Sequence, residues 1–259
     1  LFRSGDAVIL LLNQTPFYGE SGGQMGDHGR IVSSNGAIVD VTDVKKKVDD
    51  LFLHIGKIKH GKIEVGEFVE LHVDSERRNR MKANHSATHL MHEALRRHLG
   101  LHVTQKGSQV AEQRLRFDFN HSSRVTDADL KLVESAVNHQ IRNNTNVSTR
   151  IMDPESAIES GAMALFGEKY GDEVRVVSMG EQTNGSPKIN FSTELCGGTH
   201  VNQTGDIGAF KIISEGAVAS GVRRIEAVTG VDSLEYLDAK EALLNKAAEI
   251  LKVTVEQLP

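Results

Sequence analysis

An α+β fold is predicted for this 259-residue chain by three observations. The first 74 residues hold short apolar or alternating runs broken by Gly, Asn and Asp, the pattern of strands joined by turns. One long helical pattern then runs from Ser75 to Gly100. Beyond it, strand-like runs and shorter helices follow one another, which suits an antiparallel sheet with flanking helices. Three parts are expected: a small β-barrel with a glycine-rich segment over residues 1–74, an α+β domain over 75–232, and a C-terminal helix over 233–259.

Taken in order, strands are expected at residues 8–12, 29–32, 37–44, 51–55 and 67–74. Short strands at this spacing suit a small closed barrel. Gly19, Gly22, Gly23, Gly26 and Gly29 cluster among them. The cluster lacks the Gly-Lys-Ser/Thr ending of a phosphate loop, and no helix follows it as a dinucleotide fingerprint requires, so on its own it reads as a flexible hairpin. In the long helix, Ser75 is placed to cap and Gly100 to stop. At about 100° per residue, Ala87, Leu90, Met91 and Ala94 share one side, while His85, His89 and His92 fall roughly opposite. A core is expected on the first side and a cleft on the second. Arg77, Arg78, Arg80 and Lys82 begin this helix, and Arg96 and Arg97 end it. Such a strip is ordinarily a solvated face, but beside a cleft it offers a surface to phosphates.

Residues 110–120 then alternate Leu115, Phe117 and Phe119 with Arg114, Arg116 and Asp118, as a half-buried strand does. Thr126 with Asp129 resembles a helix start, although a strict capping box takes Glu or Gln at the second position. Leu130, Val133, Val137 and Ile141 follow at helical spacing. Asp153-Pro154 opens a shorter helix with proline in its first turn. Strands at 174–179, 188–192, 209–214 and 222–228 surround the cysteine. From Ser233 onward, Leu234, Leu237, Leu244, Ala248 and Leu251 form a stripe too large to leave bare.

Composition narrows the classes of function. A formal net charge of −5 gives no bulk basicity, so any nucleic-acid binding must use a local patch. A single cysteine excludes a disulfide framework and suits a reducing cytoplasm. No apolar run approaches the roughly 20 residues of a membrane span, and no signal peptide is visible. The chain opens at Leu1 without a methionine and runs straight into a strand, which reads as a piece of a longer protein.

Two short pairs carry the chemistry. His85-Ser86-Ala87-Thr88-His89 sets two imidazoles four residues apart, on one helix face with Cβ atoms roughly 5–6 Å apart. Cys196-Gly197-Gly198-Thr199-His200 sets the sole cysteine and a third histidine four apart across Gly-Gly, a tight turn that brings both to one point. Imidazole nitrogen with thiolate sulfur is a donor set for Zn²⁺. With twelve histidines present, a lone His-x3-His arises readily by chance; the cysteine pair is what strengthens the reading. A closed structural site would be richer in cysteine. A zincin is disfavoured, because Ser86 stands where His-Glu-x-x-His needs glutamate.

These motifs, with Gln105-Lys106-Gly107-Ser108, Glu194-Leu195 before the cysteine, and Gly221-Val222-Arg223-Arg224-Ile225-Glu226, resemble the editing domain of alanyl-tRNA synthetase. Thr15-Pro16-Phe17-Tyr18-Gly19-Glu20-Ser21-Gly22-Gly23-Gln24 resembles the glycine-rich segment before that domain. The resemblance covers nearly the whole chain. It implies a zinc-dependent deacylase, one Zn²⁺ per chain on His85, His89, Cys196 and His200, hydrolysing seryl and glycyl esters of tRNA for alanine. It places Gln105 beside the zinc pocket as the residue that meets a serine hydroxyl, with Thr199 as its rival. It puts Gly22 and Gly23 near the tRNA acceptor end, and makes Arg77, Arg78, Arg80, Lys82, Arg223 and Arg224 candidates for contact with tRNA. The remainder of the synthetase, an N-terminal aminoacylation domain and a C-terminal module, would be the other partner. Competing readings are an RNA-binding module with a structural zinc, a free-standing deacylase acting in trans, and a threonyl-type editing domain. The last is disfavoured by the Gly-Gly-Gln segment.

Overall fold

The computed structural model describes residues 2–47, 51–163, 171–182 and 189–258. The N-terminal part contains β1 (Phe2–Arg3), β2 (Ala7–Leu10), β3 (Gly29–Ser33), β4 (Ile38–Lys47), β5 (Leu51–His60), β6 (Lys62–Ile63) and β7 (Val69–Val73). Five of these form an antiparallel sheet in the order β2-β5-β4-β3-β7, and β1 pairs with β6. Val8, Phe17, Ile31, Val39, Val41, Val44, Ile58 and Ile63 make its core. The expected closed barrel is not formed among the described residues: β2 and β7 are the two edges and do not pair with each other. The sequence misleads here for a physical reason. Alternation records that one face is buried, and that is equally true of a barrel and of an open, bent sheet. Register shifts at Ile38/Val39 and Val41/Asp43 bend the central β4–β5 pair without bringing the edges together.

Helix α1 (Ser75–Leu99) follows at once. Its cap is Asp74 rather than Ser75, the Asp74 side chain accepting from the Arg77 backbone N–H at 3.0 Å. Gly100 ends the helix as expected, at φ 119°, a value that glycine tolerates best. The helix turns Ala87, Leu90, Met91 and Ala94 into the core, as expected, and His85, His89 and His92 towards a cleft. These histidines are nearly as buried as Leu90 and Met91, so α1 is enclosed nearly all round through its middle.

The second part continues with β8 (Gln105–Val110), β9 (Leu115–Asn120), α2 (Asp127–Asn143), β10 (Ser148–Met152), α3 (Pro154–Glu159), β11 (Val174–Glu181), β12 (Asn190–Leu195), β13 (Phe210–Ala219), β14 (Val222–Thr229) and α4 (Gly230–Leu251). The order β13-β14-β9-β8 gives one antiparallel sheet and β10-β11-β12 another. With the helices, these make the chain a mixed helix-and-antiparallel-sheet protein. Leu115, Phe117, Phe119 and Ile225 from the first sheet meet Leu90, Met91, Val133 and Val137 from α1 and α2 in the main core. Thr126 and Asp129 do form a reciprocal capping box, because an aspartate at the third position still reaches the Thr126 backbone N–H. Asp153 caps α3 with proline behind it. The strand expected from residue 188 is seen from Asn190, residue 188 lying outside the described residues. Helix α4 starts at Gly230, earlier than expected, and leaves Leu234, Leu237, Leu244 and Leu251 exposed while Ala248 is buried. Among the described residues no helix is long and apolar enough to cross a membrane.

The two parts are stitched together by the glycine-rich segment. Val110 N–H donates to Gly23 O at 2.8 Å and Met25 N–H to Val110 O at 3.1 Å, so this segment runs along the edge of β8. A Cβ on Gly23 would lie 2.4 Å from Ser108 O, which is why a residue without one sits there.

Candidate metal centre and substrate cleft

Helix α1 presents His85 and His89 one turn apart, their rings stacked with centroids 5.2 Å apart. Strand β12 ends at Leu195, and the chain turns through Cys196, Gly197, Gly198 and Thr199 to reach His200. Arg175 on β11 pins this turn, donating to Gly197 O at 3.2 Å and Gly198 O at 2.5 Å. The turn passes so close to α1 that a Cβ on Gly198 would fall 2.1 Å from His85 Cε1. The result is a cluster in which one ligand atom each from His85, His89, Cys196 and His200 lies within 4.8 Å of every other. Cys196 Sγ stands 3.4 Å from His85 Nε2 and 3.3 Å from His200 Nε2.

Each imidazole is oriented from behind. His85 Nδ1 is 2.8 Å from Gln24 Oε1, His89 Nδ1 is 2.8 Å from Glu194 Oε2, and His200 Nδ1 is 3.2 Å from Ser86 Oγ. Oε1 of Gln24 also accepts the Thr199 backbone N–H at 2.9 Å, and Ser86 Oγ accepts that of Val201 at 3.2 Å; an amide oxygen only accepts, whereas a hydroxyl still has a proton to donate. A ring that carries its proton on Nδ1 turns its Nε2 lone pair towards Cys196. This backing is characteristic of metal-binding histidines.

Charge tells the same story. Burial opposes ionisation of the Cys196 thiol, but His85 and His89, with hydrogen bonds from His200 and His85, hold it well below its usual range. The Gly198 backbone N–H also points at Sγ from 3.4 Å. Burial likewise opposes ionisation of Glu194, and His89 and His92 overcome it, so its carboxyl is held far down. Burial and then the neighbouring His85 push His200 down to about 3, which keeps it neutral. Burial pulls His89 down, yet Glu194 and Cys196 outweigh it and raise the ring well above its ordinary value. Two interior anions thus face imidazoles, a charge pattern that a divalent cation balances with every ring neutral. The spacing agrees: tetrahedral N and S donors at zinc bond lengths lie about 3.5 Å apart. His89 Nε2 is buried without a hydrogen-bond partner among the described residues, the orphan atom that a bound cation would satisfy. The donor set therefore fits zinc.

The cluster forms the floor of a cleft of about 480 Å³. One wall is N-terminal: Phe17, Tyr18, Gly19, Gly22 and Phe52. The other carries Gln105, Ser108 and Thr199. Both residues singled out for substrate contact, Gln105 and Thr199, thus line the same space as His85, His89 and Cys196, with His200 behind them. Among the basic residues, Arg78 lines the cleft, where it pairs with Asp27 and donates to Pro16 O at 2.7 Å. Arg77 is buried against Glu112 and Gly26 O. Arg80 lies 3.4 Å from Asp232, Arg223 grips Glu215, and Arg224 grips Asp118 at 2.7 and 2.8 Å. Lys82 is half-buried. These arginines are engaged by carboxylates rather than arrayed as one open strip.

Residues that sequence reasoning passed over are Gln24, Ser86, Glu194 and the buried His92. Gln24 is fully buried, and its Nε2 donates to Thr199 Oγ1 at 2.9 Å, so it ties the glycine-rich segment to both ligand pairs. Its signal was its place at the end of Gly22-Gly23-Gln24; that of Glu194 was its place two residues before the unique cysteine.

Comparison with known proteins agrees with this geometry. Residues 174–226 match the family model described as "Threonyl and Alanyl tRNA synthetase second additional domain", and residues 2–77 match "tRNA synthetases class II (A)". The chain is 55% identical over 257 residues to the alanine–tRNA ligase of Sphingopyxis alaskensis, covering 99% of the chain and 29% of that protein. It is 54% identical to the enzyme of Mesorhizobium japonicum over 98% of the chain and 29% of the relative. Paramagnetospirillum magneticum provides another at 55% over 260 residues, again 98% of the chain and 29% of the relative. The chain thus spans less than a third of the length of the curated relatives it matches. Within that span, identity above one half over nearly the whole chain places it in the alanine–tRNA ligase family.

Proposed function

We propose that this chain performs the proofreading step of an alanine–tRNA ligase, hydrolysing the ester that joins serine or glycine wrongly to tRNA for alanine, with one zinc ion held by His85, His89, Cys196 and His200. The observation that carries this reading is the convergence of three Nε2 atoms and one Sγ on the floor of a cleft walled by both parts of the chain. The need for such a step is physical. A pocket shaped for alanine cannot exclude glycine by size and rejects an added hydroxyl only weakly, so a second, hydrolytic sieve is required.

When bound, zinc would supply a Lewis acid for the ester carbonyl and fixed positive charge for the developing oxyanion. The chain's own residues do the rest. Because Gln24 donates to Thr199 Oγ1, that hydroxyl keeps its own proton to donate into the cleft. Gln105, half-buried on the same wall, offers both a donor and an acceptor. Arg78, which lines the cleft beside its partner Asp27, is assigned to a phosphate of the acceptor end.

Gln105 is assigned to the serine hydroxyl. A lost hydrogen bond of this kind costs around 1 kcal/mol, about fivefold in rate. Gln105→Ala should therefore lower kcat/KM for the seryl ester several-fold and that for the glycyl ester less. Equal losses would give Gln105 a general positioning role, and no loss would remove it from the site. The function itself is tested by presenting the chain with seryl-, glycyl- and alanyl-tRNA and measuring release of each amino acid. Serine and glycine should be released and alanine spared. No release, or equal release of all three, would overturn the reading.

A further inference from the structure

One buried carboxylate stands behind the cluster and is used by nothing else described so far. Glu194 lies on β12, two residues before Cys196, and is 5% exposed. Its Oε2 is 2.8 Å from Nδ1 of His89, and its Oε1 is 3.3 Å from Nδ1 of His92 and 3.4 Å from Ser192 Oγ. His92 is 1% exposed, packs its ring against Phe117 with centroids 4.9 Å apart, and has no hydrogen-bond partner for either ring nitrogen among the described residues. A histidine and a glutamate buried this deeply are costly to retain unless they serve each other or something beyond them.

Their arrangement says what that is. His89 has two nitrogens, and only one can offer a lone pair to the cluster while the ring is neutral. If the proton sat on Nε2, it would point at Cys196 and the lone pair at Glu194, placing like charges together. Glu194 forbids that tautomer. His92, one turn further along α1, brings Nδ1 to 3.3 Å from the other carboxylate oxygen by proximity rather than by a hydrogen bond, so the carboxylate lies between two rings of one helix. His85 and His200 are backed by neutral groups, an amide oxygen and a hydroxyl. Among the three backing groups, Glu194 alone carries charge.

We propose that Glu194 is the principal positioning residue of the centre, fixing the proton of His89 on Nδ1 so that Nε2 faces Cys196, and that His92 holds the carboxylate in place for this task. This rests on the reading above, in which the cluster holds a divalent cation. Removing such a backing group typically weakens metal affinity ten- to a hundredfold.

The test measures metal affinity rather than turnover. The dissociation constant for zinc is read by competition with a chromophoric chelator, and Co²⁺ is used as a probe whose visible absorption reports ligand geometry. Glu194→Ala should weaken zinc binding about ten- to a hundredfold and alter the cobalt spectrum. Glu194→Gln, nearly isosteric, should fall between it and the parent, because an amide oxygen still accepts from His89 without the charge. His92→Phe, which keeps the ring's volume, should weaken binding less than Glu194→Ala does. Far-ultraviolet circular dichroism establishes that each variant is folded; if Glu194→Ala is not, Glu194→Gln decides. Parental zinc affinity and cobalt spectrum in Glu194→Gln and in any folded Glu194→Ala would overturn the proposal. Parental affinity in His92→Phe would overturn the part given to His92. A parent chain that binds neither metal would instead overturn the proposed function, which keeps the two failures distinct.

Discussion

Replacing Cys196 by alanine should abolish ester hydrolysis and metal binding together while leaving the fold intact. The thiolate is the only anionic ligand of the cluster, and it lies at 3.3–3.4 Å from two of the three imidazoles. Without it the remaining donors are neutral rings. Electrostatic assistance worth about 4 kcal/mol at the reacting carbonyl corresponds to roughly a thousandfold in rate, and a loss of at least that order is expected. Stability should change little, because Leu90, Met91, Leu115, Phe117, Phe119 and Ile225 are fully buried in the main core, whereas Cys196 is only partly buried and packs against its margin. Single-turnover deacylation, zinc content and thermal melting measured on one preparation check this. Unfolding of Cys196→Ala would make the cluster a structural site.

Gly198→Ala should be nearly as damaging, although it removes no ligand. The added methyl would lie 2.1 Å from Cε1 and 2.5 Å from Nδ1 of His85, and 3.0 Å from Gln24 Oε1. Contacts under 3 Å cannot persist, so either the His85 ring or the Cys196 turn must move. Arg175 holds the turn by two carbonyls, and Gln24 holds the ring at 2.8 Å. Whichever yields, the ligand geometry opens. A misplacement of about 1 Å is worth on the order of a hundredfold in rate, and a loss of that size is expected with a matching drop in zinc affinity. Gly197→Ala is the control: a Cβ there meets nothing within 4 Å, and near-parental activity is expected.

The four ligands were legible in sequence because each pair is local. Four-residue spacing on a helix and across a Gly-Gly turn is a short-range fact that needs no fold to be read. Their backing groups were not legible in the same way. Gln24 lies 61 residues from His85, and Ser86 lies 114 from His200, so only the docking of the glycine-rich segment and the cysteine turn onto α1 brings them together. The histidine face of α1 was read as the wall of a cleft, and it does line one, although the rings there are nearly as buried as the core. Arginines at 77, 78 and 80 looked like a strip because sequence shows the cations and not the carboxylates that meet them; Asp27, Glu112 and Asp232 come from three distant stretches. Barrel closure failed for want of edge information, as strand alternation is blind to which strands become neighbours. The exposed leucines of α4 behave differently: their helical spacing was legible, and what covers them is not.

The most direct measurement is metal dependence of hydrolysis by the unmodified chain. Zinc is stripped with a chelator, the chelator is removed, and seryl-tRNA hydrolysis is followed as zinc is returned stepwise. Activity should be absent from the stripped chain and should rise linearly to a break at about one zinc per chain, as four convergent donors require. Full hydrolysis by the metal-free chain would contradict the assignment of His85, His89, Cys196 and His200 as a catalytic metal centre.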